Sequence, residues 1–100
     1  MHVCKLDWVN ANMTHKIVNK MFEEYGDFKE YMKMYEACTD ISAKAVLKKI
    51  IDDEMHHYKH LYDLVFANAE KAKMTDIELA VHEYATHLYH EMSECITRLK

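Results

Sequence analysis

Proline is absent and glycine occurs once in 100 residues, which removes the two residue types that most often break a chain into short strands and tight turns. Long periodic stretches remain, and they favour helices. Cysteine is scarce: Cys4, Cys38 and Cys95 are widely spaced, odd in number and include no CxxC pair. They point away from a disulfide framework and from a soft thiolate metal site, and read as reduced packing residues of an intracellular chain. Excess positive charge is also missing. The net charge is -4 with His neutral, and the lysines are scattered among Asp and Glu, so neither nucleic acid nor a membrane is an expected partner. No stretch approaches the roughly 18 apolar residues of a membrane span, and the first residues lack a signal-peptide core. The expected location is the cytoplasm. A glycine-rich phosphate loop, a serine elbow and a cysteine with a clear local His-based activation pattern are all lacking, which argues against hydrolytic or nucleophilic catalysis.

What is present is periodicity. The length suits one domain with one modest core. Val9, Met13, Ile17, Met21, Phe28, Tyr31 and Tyr35 recur at helical spacing and predict a first helix over about 10–37. Gly26 inside it is a site for a local bend, although one glycine costs only ~1 kcal/mol against alanine. Thr39-Asp40-Ile41-Ser42 is a polar pause, with Asp40 or Ser42 as cap of a second helix over about 42–71 that carries the stripe Ala43, Leu47, Ile50, Leu61, Leu64 and Val65. A third stripe, Ile77, Val81, Tyr84, Leu88, Met92, Cys95 and Leu99, predicts a helix over about 75–99. The expected fold is all-α: three long antiparallel helices in an up-down-up hairpin bundle. A chain this short gains core by sharing it, so a homodimer or higher homo-oligomer completing a larger bundle is expected.

Acid interrupts two of these stripes. Extending the first as Ile17-Met21-Glu24-Phe28-Tyr31-Tyr35 puts Glu24 on the apolar face. The second reads Ala43-Leu47-Ile50-Glu54-His57-Leu61-Leu64, with Glu54 and His57 at two successive inward positions. An unpaired carboxylate there costs several kcal/mol, comparable with the stability of a small domain. Depth agrees with phase. Measured from a turn between Thr39 and Asp40, Glu24 and the Glu54–His57 midpoint lie within ~1 Å of one level along the helix axis. Reflection through a second turn near Lys73-Met74 lands close to Glu91, with His87 and His90 within one turn. The candidate ligands are therefore Glu24, Glu54, His57, Glu91 and His87. A Glu-x-x-His pair offers one carboxylate that can bridge two metals and one imidazole that can bind one of them. Oxygen-rich ligation with a few imidazoles suits iron or manganese, with zinc as the alternative.

Leu47-Lys48-Lys49-Ile50-Ile51-Asp52-Asp53-Glu54-Met55-His56-His57-Tyr58 resembles the second metal helix of rubrerythrin-type sequences. Glu23-Glu24 followed thirty residues later by Glu54 is similar in spacing to encapsulated ferritins, so residues 17–70 resemble half of a ferritin-like di-iron protein. The resemblance implies Glu24, Glu54 and His57 as iron ligands, Glu54 as the bridge, and a two-fold partner supplying the same three again. It also implies ferrous iron oxidation or another oxygen-dependent redox activity. A full-length ferritin has a second Glu helix and a second Glu-x-x-His, which this chain lacks. His82-Glu83, His87 and His90-Glu91 form a different arrangement.

The residues also admit plainer readings. Glu24 reads as a boundary carboxylate paired with Lys20 or Lys48, and Glu54 and His57 as a hydrogen-bonded pair or partners of a tyrosine. His56, His60, His82 and His90 read as surface residues, the first two as an adventitious zinc or nickel chelate at i and i+4. The Met- and Tyr-rich faces suit a non-enzymatic structural or adaptor module that packs against itself or a helical protein partner.

Overall fold

The computed structural model describes residues 11–67 and 71–99. Cys4, Val9, Asn10 and the Met13 side chain, and residues 68–70 where the second helix was expected to run on, lie outside the described residues. Three helices, α1 (Ala11–Ala37), α2 (Ile41–Phe66) and α3 (Asp76–Arg98), with a 3-10 turn at Lys71–Lys73, form an all-α three-helix bundle, with no strand among the described residues.

The boundaries follow from local chemistry. Cys38 N–H closes the end of α1 on the Tyr35 carbonyl at 3.2 Å. Asp40 is extended (φ -80°, ψ 123°), and its carboxylate accepts from Ala43 N–H at 2.8 Å, satisfying one of the donors that the first turn of α2 leaves open. Of the two expected caps, Asp40 is the one used. At α3, Thr75 Oγ1 accepts from Glu78 N–H (3.1 Å) while Glu78 accepts from Thr75 N–H (2.8 Å), a reciprocal box that starts the helix abruptly. Gly26 does not end α1, which runs uninterrupted on both sides of it.

The core draws Met21, Phe28 and Met32 from α1, Ile51, Tyr58 and Val65 from α2, and Ala85, Leu88, Met92 and Cys95 from α3. Each fully buried large side chain contributes about 1.5–3 kcal/mol, so this core can carry one carboxylic acid against it. That acid is Glu24, 9% exposed among the apolar residues of α1.

The phase of α2 differs from the expectation. Its buried seam is Ile51, Tyr58 and Val65 at heptad spacing, whereas Leu47, Ile50, Leu61 and Leu64 of the expected stripe are half-buried and His57 is exposed. The middle helix contacts two neighbours, and its aromatic flank is claimed by α3. Tyr58 OH donates to the Ala85 carbonyl at 2.6 Å, and Tyr62 OH bonds to Thr86 Oγ1 at 2.7 Å. Tyr89 stacks on both tyrosines. His82, expected at the surface, packs edge-on against Phe66 with centroids 4.6 Å apart. On α3, Ile77 and Tyr84 of the expected stripe are instead exposed. Among the described residues, no helix is long and apolar enough to cross a membrane.

Candidate metal centre

Helix α1 presents Glu24 toward α2 because its apolar face turns there, between Met21 and Phe28. Helix α2 brings Glu54 and His57 to the same level on the flank beside its buried seam. One ligand atom from each of the three lies within 4.8 Å of the others. His57 Nδ1 is 3.7 Å from Glu24 Oε2, and its side chain is 57% exposed, so the group is buried at Glu24 and open to solvent at His57. Lys20 Nζ approaches Glu24 Oε1 at 3.9 Å. Lys48, the other cation suggested for Glu24, lies 3.6 Å from Asp52 instead.

Two carboxylates this close repel by about 3 kcal/mol at an effective dielectric of ~20. Burial first, then hydrogen bonding to Glu24 and the charges of Glu24 and Asp27, push the Glu54 carboxyl up to about 7, against a smaller opposing pull from Lys20. Glu54 Oε2 is buried and no N–H or O–H donor reaches it, since the neighbouring Glu24 carboxylate can bond to it only through a proton held by one of the two. Such an atom is normally satisfied, and a cation satisfies it as well as a proton does. Two carboxylate oxygens and one imidazole nitrogen make a hard-to-borderline donor set that fits iron, manganese or zinc. A metal held by these three side chains would supply further coordination positions for water, substrate or other side chains.

Glu91 and His87 do not join this group. Glu91 accepts a hydrogen bond from the Tyr25 hydroxyl and lies 3.9 Å from Lys29 Nζ, while His87 is exposed. Depth along the bundle was a sound guide for Glu91, but azimuth was not. Helix α3 approaches over the aromatic flank of α2 and over Phe22 and Tyr25 of α1, where Phe22 meets Tyr84 edge-on at 5.6 Å. The Tyr25 hydroxyl is held protonated by burial and by Glu91, making it a firm donor that ties α1 to α3. Helical spacing alone names no partners for these tyrosines; the i, i+4 pair Tyr58 and Tyr62 is the signal that α2 has a second buried flank.

Compared with protein-family models, curated proteins and solved structures, the chain matches none, and the reading of the centre rests on its own geometry.

Proposed function

We propose that this chain is a metal-binding helical protein in which Glu24, Glu54 and His57 hold a divalent transition metal, iron or manganese ahead of zinc. The observation that carries this reading is the convergence of three ligand atoms within 4.8 Å, one carboxylate oxygen of Glu54 being buried and unpartnered. In the ferritin-like reading Glu24, Glu54 and His57 would hold the iron. Bound iron would supply ferrous-to-ferric redox chemistry with oxygen. The chain's own part is to fix the ligands, to release the Glu54 proton as metal enters, and to admit solvent and ions past His57.

A second copy of the chain is the proposed source of further ligands. Val46 and Met34 are exposed, and Leu47, Ile50 and Leu64 of α2 are half-exposed outside the main core. Helical spacing sets Val46, Leu47, Ile50 and Leu64 along the flank of α2 that also carries Glu54 and His57. A two-fold pairing over this flank would bury the stripe and set two ligand triads opposite each other.

Calorimetric titration with Mn2+ under chelator-free conditions tests the assignment. Wild type should bind it, and Glu54→Gln and His57→Ala should each weaken binding tenfold or more. Undiminished binding by Glu54→Gln would overturn it.

The second reading, a non-enzymatic packing module, draws on Met34, Ile41, Val46, Ile77 and Tyr84, large apolar side chains more than half exposed. It gives Glu54 no role beyond structure, so an amide there would leave every interaction of the protein unchanged.

A further inference from the structure

The outer face of α2 carries a second set of imidazoles that the carboxylate centre does not use. His56 and His60 are both exposed and stand at i and i+4, a spacing that places their Cβ atoms about 5–6 Å apart on one helix face. Spacing alone makes a generic chelate, but a further feature prepares this one. His56 Nδ1 lies 2.9 Å from the Asp52 carbonyl oxygen. A carbonyl only accepts, so Nδ1 carries the proton and donates, which leaves the lone pair of the neutral ring on Nε2. This arrangement, one ring nitrogen held by a backbone carbonyl and the other free, is the one that orients metal-ligating histidines and fixes their tautomer. Two of the neighbouring cations are matched: Lys59 Nζ bonds to Asp63 at 2.7 Å, and Lys48 Nζ lies 3.6 Å from the Asp52 carboxylate.

We propose that His56 and His60 form a second metal site, all-imidazole and exposed, which takes borderline divalent cations such as Ni2+, Cu2+ or Zn2+ in preference to Mn2+ or Fe2+. Neutral nitrogen donors favour the later first-row metals, whereas the Glu24–Glu54–His57 group adds anionic oxygens that suit the earlier ones. The chain thereby sorts divalent ions onto two faces of one helix. This site is independent of the inner centre, because neither of its ligands belongs to that centre.

The test uses the full chain carrying Glu54→Gln, so that loss of the inner centre cannot hide or mimic the result. Ni2+ is titrated calorimetrically at pH 7.5, with His56→Ala and His60→Ala added singly. Both positions are exposed and alanine is the better helix former, so the variants should retain the fold, which circular dichroism checks. The expected result is one Ni2+ site per chain, weakened at least tenfold by either substitution and not displaced by excess Mn2+. In nitrogen NMR of the Zn2+ form, His56 should be ligated through Nε2 with Nδ1–H retained. Binding unchanged by His56→Ala, or ligation through Nδ1, would overturn the proposal. So would absence of Ni2+ binding from the Glu54→Gln chain. Failure of the inner centre would show separately, as no Mn2+ binding by wild type.

Discussion

At the scale of single residues, Glu54 sets the tension in this molecule. Its carboxyl is pushed up to about 7 from an ordinary value of 4.5, so between those values the folded chain binds more protons than the unfolded one. Its contribution is therefore fully present below about pH 4.5 and is lost as pH rises through about 7. After discounting for solvent, the effect on the metal-free protein is on the order of 1–2 kcal/mol. Thermal melts should show the metal-free protein losing stability over this window, and Mn2+ restoring it at pH 8. Glu54→Gln, which keeps shape and removes charge, should flatten the pH dependence, stabilise the metal-free protein at pH 8 and abolish the Mn2+ effect. If the substitution instead destabilises at pH 8, the carboxylate is doing structural work. Tyr25→Phe examines a different bond: losing the hydroxyl's link to Glu91 should cost about 1.5–3 kcal/mol in urea unfolding. Metal stoichiometry should be unaffected, since Glu91 stands outside the ligand group. A drop in stoichiometry would bring Glu91 back into the centre.

At the scale of elements, helix ends and helix faces behave differently. Gly26 lies within α1 with nothing inside 4 Å of a Cβ added there, so Gly26→Ala should stabilise by about 0.5–1 kcal/mol, read from denaturant midpoints. Asp40→Ala removes the cap of α2 and should cost about 1 kcal/mol by the same measurement. The helix starts were legible because they depend on nearby residues: Asp40 caps three positions ahead, and α3 begins after Thr75, close to the expected start; the end of α2, expected near Lys71, falls instead at Phe66. The Glu24 position was legible too, since its neighbours Met21 and Phe28 are both buried. The phase of α2 was not, because Ile50 and Ile51 are adjacent and either can lead an apolar stripe. Which becomes the seam depends on where α3 lands, and that is decided by Tyr58, Tyr62 and Tyr89 packing across a long separation. The same cause explains Glu91 and His87, whose level could be counted from the turns but whose direction could not.

At the scale of the whole molecule, the bundle is long and thin, 48 × 23 × 21 Å, and a thin bundle leaves much of each helix outside the core. The flank of α2 with Val46, Ile50 and Leu64 bears both that apolar surplus and the open side of the ligand group. If a second copy covers it, Ile50→Glu should shift the protein from dimer to monomer in sedimentation equilibrium and lower metal affinity at least tenfold, with helicity kept. A wild-type chain that sediments as a monomer at all concentrations would place the remaining ligands with solvent. The central claim, that Glu24, Glu54 and His57 form a metal centre, is tested most directly by elemental analysis of tag-free protein loaded anaerobically with ferrous iron and desalted. Wild type should carry about one iron per chain, as two triads sharing two metals require, and Glu54→Gln and His57→Ala none; iron-free wild type, or equal iron in the variants, would overturn the assignment.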